Sequence, residues 1–428
     1  VTAFFLIEGV VYGRRFCFHE FMPNRSSLRQ IMSLTVLVAS LGYFVDMFDL
    51  LLFPILRQPS LLSLGITGDA QIVVYRNLLN AQMIGMLLGG IFWGMLGDKR
   101  GRLSTLFGSI ALYGVANIAN AFVHSTDTYL LWRFVAGFGL AGELGAAVTL
   151  VSEILPSDLR GYGTTIVAAV GIFGTVAATL VGKYLPWRMG YLVGGGLGMI
   201  LLMLRIGIRE SAMFKDLGRT SVTRGDFFSL FTSTERLGRY LRCILIGLPT
   251  WFVVGILINL SPEFAPKLGV TGKVAAGTAV AFCYGGITVG SLGSGILSQL
   301  WGTRKKVVGL FIGATLVGVV AYLTLRGLSP ALFYLLALYL GLATGYWAVF
   351  VTIAAEQFGT NLRSTVATTV PNFVRGAVPL ITGSFVFLKA PMGFVGSAAL
   401  VGAVCFTLAL VSLWGLRETH GRDLDFLE

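Results

Sequence analysis

Residues 41–54 read LGYFVDMFDLLLFP, an apolar run broken by two aspartates, Asp46 and Asp49, three residues apart. The run extends on both sides far enough to cross a lipid bilayer, which needs about 20 apolar residues in a helix. A carboxylate in hydrocarbon costs at least ~2.5 kcal/mol and tends to take up a proton instead. Spacing of three puts both acids on one helix face, so that face must meet water or a partner. The reading therefore depends on whether the chain is membranous.

Composition answers that. Of 428 residues, 55% are apolar and 12% charged, with 56 glycines and a mean hydropathy of +0.80. Soluble chains carry about 25% charged residues, so this composition is that of an integral, multi-pass membrane protein surrounded by the bilayer. Abundant glycine suits helices that pack closely in lipid. The cysteines, Cys17, Cys243, Cys283 and Cys405, are isolated, with no metal-ligand spacing. A net charge of +12 would suit nucleic acid, but the basic residues cluster in short segments between apolar runs, so no nucleic-acid partner is expected.

Twelve apolar runs are legible, at about 31–56, 78–97, 103–122, 129–152, 162–185, 188–207, 240–261, 275–301, 307–325, 330–355, 364–387 and 393–416. The expected organisation is a segment 1–30, a first six-helix bundle 31–208, a linker 209–239, a second bundle 240–416 and a tail 417–428. A start at Val1 rather than Met suggests a trimmed N-terminus. With the N-terminus inside, 22 Lys and Arg fall on the cytoplasmic side against 9 outside, Arg375 standing mid-helix. That asymmetry predicts both termini in the cytoplasm. The halves echo each other: Glu153 and Arg160 in SEILPSDLRG return 203 residues later as Glu356 and Arg363 in AEQFGTNLRST. GDKRGRLS is answered more weakly by SQLWGTRK, with Gln299 at the acidic position. Such a parallel duplication predicts an all-α fold of twelve transmembrane helices in two pseudo-twofold-related bundles, with a site at their interface.

These motifs resemble the major facilitator superfamily. GMLGDKRGR (94–102) fits the family's G-x-L-x-D-[RK]-x-G-R loop signature, and EILPSDLRG (153–161) fits its E-x-x-P-x-x-x-R-G pattern. RES (209–211) and RETHG (417–421) look like its P-E-S and P-E-T-x-G motifs, with Arg in place of Pro. DMFDL (46–50) and GELGA (142–146) are similar to motifs of aromatic-acid, phosphate and metabolite–proton symporters. The resemblance implies a proton-coupled secondary transporter, a single-chain protein working by alternating access. It also implies that Asp98, Arg102, Glu153, Arg160, Glu356 and Arg363 form a cytoplasmic gate.

The intramembrane charges point to chemistry by themselves. Helical rise puts Asp49 and Arg133 at similar depth, with Asp46 nearer the midplane, so an acid can pair with Arg133 when ionised and leave it when protonated. A static ion pair is the plainer alternative. Glu143 has no basic neighbour in sequence, so burial favours its neutral form, either as a second proton site or as a packing hydrogen bond. Arg375, between Pro371 and Pro379, is a mid-membrane guanidinium that seeks an anion: a substrate carboxylate or phosphate, or a protein acid. Trp251, Asn259, Tyr284, Tyr346 and Trp347 are candidates to complete a binding site, or to pack.

GFGLAG (137–142) is a formal dinucleotide fingerprint, but it lies inside a span with no strand before it. No Walker A, GxSxG or HExxH sequence occurs, so neither ATP nor hydrolysis has machinery. The sequence predicts no enzyme, metal or cofactor. The expected function is import of a small, anionic solute, driven by a proton gradient, across an inner or plasma membrane. Proton antiport exporting a metabolite or carboxylate siderophore is the alternative, and a non-transporting receptor is the alternative of another class.

Overall fold

A computed structural model describes residues 32–68, 70–156, 159–206 and 224–428. The segment 1–30, the first part of the expected linker (209–223) and with it the RES motif lie outside the described residues. The helices are α1 (Leu34–Ser63), α2 (Ala70–Arg100), α3 (Arg102–Asn120), α4 (Thr126–Leu140), α5 (Glu143–Ile154), α6 (Arg160–Tyr184) and α7 (Trp187–Leu204). The second half has α8 (Thr234–Leu245), α9 (Leu248–Phe252), α10 (Ser261–Lys267), α11 (Ala276–Leu300), α12 (Arg304–Thr324), α13 (Pro330–Thr344), α14 (Trp347–Glu356), α15 (Arg363–Gly376) and α16 (Val378–Gly415).

Among the described residues ten helical stretches are long and apolar enough to cross a membrane. The last, Arg363–Gly415, folds two crossings into one, turning at Gly393, whose φ of 72° a side chain would resist. Counting α3 as well, twelve crossings result, and the fold is an all-helical membrane protein. Ends follow local chemistry: Ser125, Thr303 and Ser329 cap α4, α12 and α13 by accepting from backbone N–H groups. The first crossing runs to Ser63 rather than residue 56, because Pro59 is accommodated within its last turns. Part of the expected linker is already helical, since α8 begins at Thr234.

Two crossings are broken at matching places. The fourth pauses between α4 and α5 at Ala141–Gly142, and the tenth between α13 and α14 at Gly345–Tyr346. A Cβ on Gly345 would stand 2.4 Å from the Gly290 carbonyl carbon, so only glycine permits that approach of α11. The seventh crossing changes pitch through a π-helical turn, Val253–Ile258, between α9 and α10.

The halves meet at the end that carries residues 417–428, here the tail end. There α15 lies against α2 and α5, presenting the buried hydroxyls of Ser364, Thr365, Thr368 and Thr369. Opposite stand glycines: ideal Cβ atoms on Gly94 and Gly145 would come within 2.9 and 2.3 Å of the Cα atoms of Thr365 and Thr368. The seam is thus backbone against hydroxyl-bearing helix. Thr352 on α14 donates to Thr164 on α6 at 3.0 Å, and Asn372 donates to the carbonyl of Ala141, in the break of the fourth crossing, at 2.9 Å.

Candidate functional site

Above the seam lies a small cavity lined by Tyr43, Met47 and Leu50 of α1 and by Thr250, Trp251, Tyr284, Trp347 and Arg375 of the second half, with further apolar residues. On α1 the spacing 43, 47, 50 is one helical stripe, which is why successive turns of one apolar run face the cavity. Trp347 stands at the start of α14, just past the break, and meets Trp251 edge-on with ring centroids 6.2 Å apart. Both indole N–H groups lack a protein acceptor, as does the buried Thr250 hydroxyl.

Arg375 reaches this cavity from the last turn of α15. Its guanidinium carbon is 5.9 Å from the Trp347 ring, and Nη2 donates to Asp46 Oδ2 at 3.4 Å. Of the two partners the sequence left open for Arg375, a protein acid is the one present, and it is one of the two opening aspartates. The pair spans the two halves, is buried, and leaves Asp46 Oδ1 and Arg375 Nε unpartnered. Asp49 faces the other way, into the first bundle. Its Oδ2 lies 3.7 Å from Arg133 Nη1, and Arg133 also donates to the Gln82 side-chain oxygen and lies over the Phe53 ring at 4.5 Å.

Glu143 requires a correction. It is not a lone carboxylate: Arg205 donates to it from Nη2 at 2.5 Å and Nη1 at 3.1 Å, and Ser109 from its hydroxyl at 2.6 Å. Arg205 is 62 residues away at the end of α7, where its position reads as a loop charge, so sequence proximity misses it. Gly42 makes room for the pair, since a Cβ there would sit 2.4 Å from Arg205 Nη2 and 2.6 Å from Glu143 Oε2. A bidentate, hydrogen-bonded pair of this kind fixes the carboxylate in place.

Two further candidates stand away from the cavity. Asn259 is exposed beyond the π-helical turn, and Tyr346 turns its hydroxyl to the carbonyl of Ile246 at 2.9 Å, packing the second bundle. Trp251, Tyr284 and Trp347 do line the cavity.

At the tail end Asp98 accepts from the backbone N–H groups of Ser364 and Thr365, at 3.0 and 2.8 Å, and pairs with Arg102 at 3.2 Å. It thereby caps the N-terminus of a helix from the other half. Glu153 takes Arg102 at 2.7 Å and, across the seam, Arg363 at 3.1 Å. Arg304 pairs with Glu356 at 2.6 Å, the second half's counterpart of Arg102 with Glu153. Arg160 donates to the carbonyls of Leu155 and Arg422. The tail is part of this closure. Arg363 donates to the Leu424 carbonyl, Thr360 N–H to Phe426, and Glu428 reaches Arg239 at 3.0 Å. Glu418 of RETHG accepts from the Thr303 hydroxyl and the N–H groups of Arg304 and Lys305, at the start of α12. Sequence reading had no signal for the tail contacts beyond the RETHG motif.

The Major Facilitator Superfamily profile matches residues 33–383. The 3-(3-hydroxy-phenyl)propionate transporter of Escherichia coli K12 is 29% identical over 354 residues, covering 80% of this chain and 85% of its own. The gentisate transporter of Corynebacterium glutamicum is 26% identical over 375 residues, covering 78% of each. Among solved structures, the proton:xylose symporter XylE bound to 6-bromo-6-deoxy-D-glucose superposes with a TM-score of 0.73 at 16% identity, over 93% of this chain and 98% of that one. With the profile matching most of its length, and with transporters rather than enzymes as its relatives, the chain belongs to the Major Facilitator Superfamily of membrane transporters.

Proposed function

We propose that this protein is a proton-coupled symporter that imports a small organic acid, most naturally an aromatic carboxylate, across an inner or plasma membrane by alternating access. The observation that carries the reading is Arg375, shared between Asp46 and an aromatic-walled cavity. While Asp46 is ionised it holds the guanidinium at 3.4 Å. Protonation of Asp46 removes that partner, and the freed donors turn to a carboxylate in the cavity. Proton and anion then occupy the site together, which is the stoichiometric basis of symport. Trp251, Trp347 and Tyr284 offer flat apolar faces to a ring. Relatives named for hydroxylated aromatic acids support this substrate class.

In this reading the tail end faces the cytoplasm, as the distribution of basic residues suggests, and the gate there is shut while the cavity serves the outside. The Asp49–Arg133 pair is the second site whose ionisation changes during the cycle. No cofactor is needed, since the gradient supplies the energy, and the working unit is the monomer.

The test uses protein reconstituted in vesicles with 3-(3-hydroxyphenyl)propionate and gentisate as probes. Arg375→Gln should weaken binding roughly tenfold or more, the equivalent of a charge-assisted hydrogen bond of ~1.5–3 kcal/mol. Asp46→Asn should abolish pH-driven accumulation but keep exchange of labelled for unlabelled probe. Unchanged affinity in Arg375→Gln, or full accumulation in Asp46→Asn, would sink the reading.

A further inference from the structure

Three buried hydroxyls run through the first bundle from the end opposite the tail. Ser60 lies in the last turns of α1, Tyr129 in the first turn of α4 and Tyr191 near the start of α7, all with no solvent exposure. The Tyr129 hydroxyl donates to Ser60 Oγ at 3.4 Å and shares a 2.6 Å hydrogen bond with the Tyr191 hydroxyl. The Tyr191 ring lies 6.0 Å from the Arg133 guanidinium carbon, and Tyr129 stands one turn before Arg133 on α4. Next comes Asp49, 3.7 Å from Arg133, with both carboxylate oxygens lacking a hydrogen-bond donor.

The charged groups around Asp49 are Arg133 from α4 and, one turn toward the tail end, Asp46 on its own helix. Its neutral polar neighbours are Asn117 from α3, whose amide lies against it, and Gln82 from α2, joined through Arg133. The Gln82 amide nitrogen and Arg133 Nε have no hydrogen-bond partner, and Arg133 Nη1 and the Asn117 amide approach Asp49 without a well-formed hydrogen bond. So many unpaired polar atoms inside a lipid-embedded bundle are costly unless they bind mobile water. None of Ser60, Tyr129, Tyr191, Asn117 or Asp49 lines the cavity beside Arg375.

We propose that Ser60, Tyr129 and Tyr191 form a proton-entry relay to Asp49, separate from the route taken by the substrate. As it stands Ser60 donates to the Arg57 carbonyl and Tyr129 to Ser60. Once the hydroxyls rotate so that Ser60 donates to Tyr129 and Tyr129 to Tyr191, a proton arriving at Ser60 Oγ forms a new O–H bond as the old one passes to Tyr129. Tyr129 passes its own proton to Tyr191 in the same way. Tyr191 hands a proton, through water held by Asn117, to the Asp49 carboxylate, which becomes neutral. Each relay hydroxyl ends with one proton as it began, and rotation resets it. The inference rests on the proton-coupled reading above. Separation has a mechanistic use: an anion in the cavity neither blocks the proton nor competes for it.

The experiment compares wild type with Tyr129→Phe and Tyr191→Phe, which keep the rings and delete the hydroxyls. Vesicles enclosing a pH dye report proton entry with 3-(3-hydroxyphenyl)propionate, and labelled probe reports exchange at equal pH. The relay predicts proton-coupled initial rates about tenfold lower or more, with exchange preserved. Ser60→Ala should lower them too, and Ser60→Thr should restore them. If wild type couples protons and the Phe variants stay within twofold of it, the relay is overturned while the proposed function stands. Equal loss of exchange and proton entry would make the hydroxyls packing groups only and also overturn it. A wild type that carries the probe without protons would overturn relay and symport together. Should the Phe variants fail to fold, Ser60→Ala in the same assay decides.

Discussion

The two bundles repeat one plan 203 residues apart and spend their charges differently. Just past the break in its fourth crossing the first half has Glu143, clamped by Arg205 and Ser109; within the matching break in the tenth the second half has Tyr346, whose hydroxyl holds a carbonyl. Both solve the same problem, a broken helix needing a fixed partner, one with an ion pair and one with a neutral hydrogen bond. Asp46, Asp49 and Arg133 likewise belong to the first half, whereas the second supplies Arg375 and the tryptophans. Under the proposed function the difference amounts to a division of labour: the titrating acids on one side, most of the polar and aromatic cavity wall on the other, with the Asp46–Arg375 contact as the joint between them.

The largest break in that comparison comes from Glu143→Gln. If Glu143 is a structural clamp, removing its charge strands Arg205 in the bundle, at a cost of about 3–5 kcal/mol. A clear fall in Tm of the detergent-solubilised protein is expected, partly recovered by adding Arg205→Met. A variant with native Tm but no proton coupling would move Glu143 among the titrating groups.

A moderate effect should follow from exchanging the gate's asymmetry. Asp98 caps α15 through Ser364 and Thr365, while its counterpart Gln299 lies against Gly161 at the start of α6. Gln299→Asp should let α6 be capped in the same manner, a gain of about 0.5–2 kcal/mol for the closed tail end. Asp98→Asn should lose a similar amount. Labelling of a reporter cysteine at the tail end should slow in the first and quicken in the second; equal labelling in both would remove Asp98 from the gate.

The smallest effect concerns Glu418, outside the membrane. Burial alone would raise its carboxyl, but hydrogen bonds from the Thr303 hydroxyl and the backbone of Arg304, His420 and Lys305 outweigh it and hold the group down to about 2. A carboxylate depressed on folding stabilises fully above its unfolded value and loses that contribution as pH falls toward 2. Glu418 is half exposed, so the contribution is small. Glu418→Gln should lower Tm by a few degrees at most at pH 7, and the gap should close on acidification. A gap that widens in acid would reverse the assignment.

Much of this was legible from residues alone, for reasons that also mark the limit. Hydropathy and the repeated motifs yield the crossings, because hydrocarbon leaves a helix few alternatives. Counting helical rise brings Asp49 level with Arg133, and the two do pair. Depth says nothing about which neighbour a helix face meets, so Asp46–Arg375, 329 residues apart, and Glu143–Arg205 emerge only from packing. Asn259 turns away from the cavity because a π-helical turn shifts every later side chain relative to an ideal helix. Leu424 and Arg422 offer carbonyls, which no side-chain pattern reveals.

The glycine-lined seam has a kinetic meaning. A closure built from interleaved side chains must unlock rotamers before it can part, and each unlocking adds to the barrier. Here the first half offers bare backbone at Gly94 and Gly145 and the second offers hydroxyls on α15, so in the proposed cycle the surfaces would part with few side chains to disengage. Every newly wetted hydroxyl finds water at once. If the proposed cycle holds, such a joint trades strength for speed: the charges around Asp98 and Glu153 would set how long the gate stays shut, while the bare backbone on one side of the seam would set how fast it opens.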